Sequence, residues 1–335
     1  MREDGASPSS FERFSVRFRP IASLSVAAVA VLLLAGCAGS SDDSQTPDAS
    51  ANPDAGQCQT PFTGDVPDGI QVTGDFQSPV TVTRPDGFAP TAIQRSTLIQ
   101  GTGDEVKAGD LVKANYTVID ASTGAVALDS LKSDPSGMDM IVNAQQIFGA
   151  AVSCVPIGSR TVSTFPAGTL GEGSPAYILV ADSISELPTR AEGTEVAPVE
   201  GMPTVTFADN GAPTITVPST PAPTETRIEN LRQGAGDVVN PGDTVIVQYT
   251  GVLYDGGTVF DSSWDKGAPT QFATTDVVPG FKQALEGQTV GSQVVAVIPP
   301  ADGYGDQAKG SIPAGSTLVF VVDILGVQHA TPAAQ

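Results

Sequence analysis

The run Val245–Val327 constrains the chain most, and its densest part reads V-I-V-Q-Y-T-G-V-L-Y-D-G-G-T-V-F-D-S-S-W. Val245, Val247 and Tyr249 alternate with Ile246, Gln248 and Thr250, and further β-formers follow Gly251 up to Asp255-Gly256-Gly257. Thr258-Val259-Phe260 then resumes the pattern. Two β-branched and aromatic runs around Asp-Gly-Gly predict a hairpin, because a tight turn needs residues that accept positive φ. Downstream, Val277–Gly287 predicts one short helix, with Pro279 suited to its first turn and Gly287 to its end. Strands around a single short helix make a curved sheet that can grip something cyclic.

At 335 residues the chain is long enough for two ordinary domains, each with its own core. Its 36 glycines and 27 prolines favour turns over long helices. A single histidine argues against a histidine-based metal centre and a Ser-His-Asp triad, and there is no Cys-x-x-Cys pair. A net charge of −21 argues against nucleic acid, whose phosphates are bound by Lys and Arg, and for an acidic, soluble surface.

The N-terminus reads as a targeting segment. Arg13, Arg17 and Arg19 precede an apolar run, Ile21–Ala35, that is too short to span a membrane comfortably. Its Leu34-Ala35-Gly36-Cys37 ending resembles a bacterial lipobox, so residues 1–36 are expected to be a signal peptide and Cys37 the lipidated new N-terminus. Plain cleavage, with Cys37 incidental, is the simpler alternative. Residues 37–57 carry almost no large apolar side chain and read as a flexible tether. Two cysteines remain, Cys58 and Cys154. In an exported protein such a pair suggests a disulfide, two separate buried thiols being the other reading.

The chain also repeats itself at an offset of 133. Leu98–Asp104 matches Leu231–Asp237, Ala108-Gly109-Asp110 with Tyr116 matches Pro241-Gly242-Asp243 with Tyr249, and Phe148 falls opposite Phe281. Thr81–Pro85 lines up with Thr214–Pro218 as a lead-in strand. Two copies make a tandem, not a solenoid. The boundaries are 58–188 for the first domain, 189–198 for a polar linker, 199–327 for the second domain and 328–335 for a tail. The first copy departs from the second at chemically telling places. Leu128 stands at the position of Phe260, and Asp129 opposite Asp261. A loop some eight residues shorter between Phe165-Pro166 and Tyr177 removes the equivalents of Tyr304 and Ile312.

Across Thr226–Val327 the strings Y-T-G-V-L-Y-D-G-G-T-V-F-D-S-S, V-V-P-G-F-K-Q-A-L, I-P-P-A-D-G-Y-G and I-P-A-G-S-T-L-V-F-V-V-D-I-L occur in an order that resembles the FKBP-type peptidyl-prolyl isomerases. The resemblance implies an α+β fold of two tandem FKBP-like domains, each a curved antiparallel β-sheet wrapped around one short helix, the first degenerate. It also implies an enzyme without cofactor or metal, acting on proline-containing exported polypeptides and tethered to the membrane by its lipid. By the same resemblance Tyr249, Phe260, Asp261, Phe281 and Tyr304 are the catalytic candidates, and Val277, Val278, Ile312 and Phe320 bind substrate. Phe281 would floor the cavity. Val278 and the backbone around Ile312 would hold the peptide, and the Tyr304 hydroxyl would meet a substrate carbonyl.

Three departures from the family pattern imply altered substrate preference and weaker binding of macrolide-type ligands. Lys266 stands where an Arg braces the aspartate, Thr270 replaces a pocket-edge aromatic, and the loop Asp306–Ser311 is short. Taken singly, the aromatics could be core, Asp261 a turn cap and Tyr304 an ordinary loop residue. Asn115-Tyr116-Thr117 fits a glycosylation acceptor inside a strand, Gly234-Ala235-Gly236 precedes β pattern rather than a helix, and His329 reads as solvated. The competing functional reading is a non-catalytic lipoprotein or chaperone that binds peptides or partners through both domains.

Overall fold

Alternation of β-branched residues with polar ones sets the strands, and glycine-rich turns connect them. The computed structural model describes Cys58 and residues 60–330. The expected signal peptide 1–36, Cys37 with the whole expected tether to residue 57, and residues 331–335 of the tail lie outside the described residues.

The first half opens with a small hairpin, β1 (Gln71–Thr73) and β2 (Thr81–Thr83). Then follow β3 (Gln94–Ile99), β4 (Leu111–Asp120), β5 (Val126–Asp129), α1 (Ser130–Ser133), β6 (Met138–Ile141), α2 (Ile147–Val152), β7 (Arg160–Phe165) and β8 (Tyr177–Glu186). They form an antiparallel sheet in the order β3-β7-β8-β4-β5, with β6 paired to the other end of β4. The second half has β9 (Thr194–Glu195), the hairpin β10 (Thr204–Phe207) and β11 (Pro213–Thr216), β12 (Arg227–Gln233), β13 (Thr244–Leu253), β14 (Val259–Ser262) and β15 (Thr270–Ala273). It closes with α3 (Pro279–Leu285), β16 (Gln293–Ile298) and β17 (Leu318–Gln328). Its sheet runs β14-β13-β17-β16-β12-β9, with β15 paired to β13. Apart from β9, strand order and pairing are the same in both halves.

Each sheet is covered on both faces. Ile298, Ala296 and Val294 of β16 pack under α3, while Val295 and Val297 meet Val205, Ile215 and Val217 of the lead-in segment. This is why β7 and β16 are buried along their whole length. A strand covered on both sides cannot alternate apolar with exposed polar residues. In the first half, Val72, Val80 and Val82 cover Val162, Ile178 and Val180 in the same way. The halves meet through Leu111, Ile141 and Leu187 against Ile246 and Leu325. Asp139 spans that contact, accepting the Val327 N–H at 3.1 Å, while its carbonyl accepts from Gln328.

Several expectations need correction. The first half has two short helices, not one. Ser130-Leu131-Lys132-Ser133 winds into a turn of helix, whereas the corresponding Ser263-Trp264-Asp265-Lys266 forms turns only. Residues 189–198 are not a free linker: Thr194–Glu195 adds an edge strand to β12, and Ala191 is buried. The tail starts later than residue 328, because Gln328 belongs to β17. His329 is not simply solvated; its Nδ1 lies 2.8 Å from the buried Asp243 carboxylate.

Register also moves one alignment. The N–H groups of Tyr116 and Tyr249 donate to the hydroxyls of Ser130 and Ser263, and Thr117 pairs with Asp129 as Thr250 pairs with Ser262. Asp129 therefore matches Ser262, and Leu128 matches Asp261. The position of Phe260 falls to Ala127.

Candidate active site

The elements around α3 bring most of the expected side chains to one cavity of about 510 Å³. β13 supplies Tyr249, β17 Phe320, β14 Phe260 and Asp261, and α3 Phe281. Val277 and Val278 lead into the helix, and Tyr304 and Ile312 come from the loop before β17. All nine expected catalytic and binding residues line this space. Cys37 lies outside the described residues, and Cys58 and Cys154 form a disulfide in the first half, far from this cavity in sequence.

Close approach of rings shapes the cavity. Phe281 is 4 % exposed and sits among Tyr249, Phe272 and Phe320, with ring centroids at 6.3, 5.7 and 4.7 Å. Phe260 meets Phe320 edge-on at 5.4 Å. Such tilted and edge contacts add about 0.5–1.5 kcal/mol per pair beyond burial. Gly251, register partner of both Asp261 and Phe320, makes this possible: a Cβ there would lie 2.5 Å from the Phe260 ring. Gly280 allows α3 to sit equally close to β16, since its Cβ would lie 2.4 Å from Ile298.

One carboxylate interrupts the apolar wall. Asp261 accepts the Tyr249 hydroxyl on one oxygen and Lys266 Nζ at 2.5 Å on the other. Desolvation works against its charge, but the hydrogen bonds from Lys266 and Tyr249 outweigh it and hold the carboxyl below its ordinary value. Burial, with the hydrogen bond and charge of Asp261, pushes the Tyr249 phenol up. Asp261 is thus ionised and Tyr249 neutral at pH 7. Lys266 makes the brace despite standing in the place of an Arg, and because it is exposed it orients the carboxylate more than it stabilises the fold.

Other side chains depart from expectation. The N–H and C=O of Ile312 are both engaged with Lys309 at 2.9 Å, so Ile312 offers its buried side chain rather than its own amide. Phe272 was missed as a site residue; it lines the cavity and contacts Tyr249 edge-on at 5.5 Å. Its place two residues after Thr270, on the same side of β15, was the available signal. Asp276, Lys309 and Ser311 also reach the rim. Among the described residues, no group of three or more His, Cys, Asp or Glu is placed to hold a metal ion.

The arrangement suits chemistry without a nucleophile: a closed apolar floor, one oriented carboxylate at the edge and a phenol on a loop. Comparison with known proteins gives the same direction. The profile of the family described as FKBP-type peptidyl-prolyl cis-trans isomerase matches residues 236–325. An FK506-binding protein of Streptomyces anulatus is 38% identical over 104 residues, which cover 30% of this chain and 84% of that protein. FkpA, an FKBP-type peptidyl-prolyl cis-trans isomerase of Escherichia coli, is 40% identical over 100 residues, 30% of this chain and 37% of that one. The crystal structure of Escherichia coli FkpA aligns at 32% identity with a TM-score of 0.31, over 40% of this chain and 55% of that chain. With a relative matched over most of its length and the same segment forming the cavity, the chain belongs to the FKBP-type peptidyl-prolyl cis-trans isomerases.

Proposed function

We propose that the second half is the catalytic domain of a membrane-tethered isomerase that assists folding of exported, proline-containing polypeptides. In this reading the chain is a tandem of two FKBP-like domains, 58–188 and 199–327, and the first holds clients near the second. The observation that carries it is the cavity of Tyr249, Phe260, Phe281 and Phe320 with the ionised Asp261 at its rim.

Rotation about an Xaa-Pro amide must cross a barrier of about 18–20 kcal/mol imposed by resonance. At the top the C–N bond is single-like and the amide less polar. A water-poor aromatic cavity therefore favours the twisted state over the planar one, which is differential binding of the transition state. Phe281 supports the prolyl ring, and Phe260 and Phe320 close its sides. Tyr304, whose hydroxyl has no hydrogen-bond partner among the described residues, meets a substrate carbonyl. Asp261 orients the bond from the edge, and its fixed charge needs no proton transfer. The same cavity takes macrolide-type ligands, with affinity altered by Thr270 and the short loop.

Uncatalysed proline isomerisation takes tens of seconds or more and limits folding where ATP-driven chaperones are absent. Holding clients on the first domain raises their concentration at the second. The lipobox-like Leu-Ala-Gly-Cys37 supports the tether, and Cys37→Ala is expected to release the protein from the membrane fraction.

The deciding experiment is the cis-to-trans rate of a Leu-Pro or Phe-Pro peptide with the full chain and with Phe281→Ala. Acceleration that disappears in the variant is expected. No acceleration by the full chain would sink the catalytic reading and leave a binding lipoprotein.

A further inference from the structure

The second sheet carries another cavity on the face opposite the aromatic one. It measures about 330 Å³, and Gln293, Asp323, Phe207, Ala208, Arg190 and Arg232 bound it. Gln293 and Asp323 are register partners on β16 and β17, and both are nearly fully buried. Gln293 Nε2 donates to Asp323 Oδ1 at 2.6 Å, and the Ala191 N–H donates to Oδ2 at 2.8 Å. Gln293 Oε1 is buried without a partner. An unsatisfied buried acceptor costs about 1–3 kcal/mol, so the site lacks a donor.

The first sheet shows what fills the same place. There Arg160 pairs in register with Asp182, and the Gln77 N–H meets Asp182 as Ala191 meets Asp323. The Arg160 guanidinium donates to Asp182 from Nε at 2.6 Å and from Nη2 at 2.7 Å. Its remaining donors reach the carbonyls of Gly74 at 2.5 Å and Asp75 at 2.8 Å. Gly74 and Asp75 follow Thr73, which pairs with Thr81, as Phe207 and Ala208 follow Thr206, which pairs with Thr214. With glutamine in place of arginine, the second sheet keeps the carboxylate and the hairpin wall and leaves the guanidinium's volume open.

We propose that this cavity receives a guanidinium group, presented by an arginine side chain of a bound polypeptide. The charges around it allow this. Arg232 is committed to Glu195 at 2.8 Å and to the Gly193 carbonyl, Arg190 donates to the Asp209 carbonyl, and Glu192 is exposed at the edge. The direct hydrogen-bond partners of Asp323 are therefore both neutral. Burial, only partly opposed by the bonds from Ala191 and Gln293 and by the more distant charges of Arg232 and Arg190, raises its carboxyl. A planar donor that reaches Asp323 and Gln293 Oε1 together satisfies both groups, as Arg160 does for Asp182.

The test is an NMR titration of the full chain with N-acetyl-arginine methylamide, its neutral citrulline counterpart, and an arginine-containing peptide. Saturable shifts around Ala191 and Ala208 are expected with the arginine probes, in the millimolar range for the blocked residue and tighter for the peptide, and none with citrulline. Gln293→Arg rebuilds the first sheet's occupant; it should weaken binding at least about tenfold and raise the thermal midpoint. Asp323→Asn should also lose binding, which keeps the test decisive if Gln293→Arg misfolds. Prolyl isomerisation should be unchanged in both, since the site lies across the sheet. Equal binding of arginine and citrulline, or binding that survives both substitutions, would overturn the proposal. So would binding that emerges only in Arg190→Ala, because Arg190 would then be the occupant. Equal affinity for peptide and blocked arginine would overturn the polypeptide source.

Discussion

Tyr116 and Tyr249 hold the same register position in two sheets of the same strand order, and what surrounds them differs at nearly every neighbour. Around Tyr249 stand Gly251, Phe260, Asp261, Phe272, Phe281 and Phe320. The matching positions around Tyr116 hold Val118, Ala127, Leu128, Met140, Phe148 and Leu179. Of the surrounding aromatics only Phe148 survives, with its ring 4.9 Å from Tyr116. Deprived of a carboxylate, the Tyr116 hydroxyl turns to the Met140 sulfur and the Phe148 carbonyl. It is 2 % exposed, and burial pushes its phenol far up. The first sheet is core where the second holds a cavity. On the opposite faces the relation reverses: Arg160 fills the first, and Gln293 leaves the second open. Two sheets of one strand order thus tolerate exchange of a filled face for an open one, provided each buried polar group keeps or awaits a partner.

The comparison can be broken at its strongest point by Arg160→Gln, which copies the second sheet into the first. It strands Asp182 without its guanidinium, and loss of one partner of a buried pair costs about 3–5 kcal/mol. Urea denaturation should show that loss in the first half while the isomerisation rate stays unchanged. Cys58→Ser tests whether the first half depends on being tied at its start. The disulfide closes a separation of 96 residues, and its removal should cost about 2–5 kcal/mol, read as an earlier unfolding step.

Gly251→Val moves the first sheet's residue into the second. A side chain there collides with Phe260, and displacing a ring that shapes the cavity should slow catalysis about 10–100-fold with little loss of fold. The smallest effect is expected of Lys266→Met. Asp261 is depressed below 3.8, so its charge, and any stability it contributes, is present above that ordinary value and lost as pH falls through the folded one. Without Lys266 the acid limb of the activity profile should move upward, with the neutral rate nearly unchanged. An unshifted limb would mean that Tyr249 alone holds the carboxylate.

Much of the second half was legible because local patterns and tertiary demands agree there. Asp255-Gly256-Gly257 turns as its glycines require, with φ of 80° and 65°, and Pro279 opens α3. All nine expected cavity residues meet. The first half was read less well for a specific reason: aligning Asp129 with Asp261 placed a carboxylate where Leu128 lies. Side chains alternate along a strand, so an error of one position exchanges the two faces. Phe272 is the one aromatic of the wall that the motifs do not mark, and only its spacing of two from the pocket-edge position Thr270 puts it on the cavity face.

By itself the sequence determined the hairpin, the short helix, the repeat of motifs at an offset of 133 and the order of the cavity's elements, since these depend on neighbours along the chain. Tertiary structure alone decided that Leu128 rather than Asp129 stands at the place of Asp261, that Ala191 clasps Asp323, and that Gln293 leaves room where Arg160 fills it. Those outcomes depend on which side chains face one another across hydrogen-bonded strands, and register between distant segments is fixed only when the sheets pack.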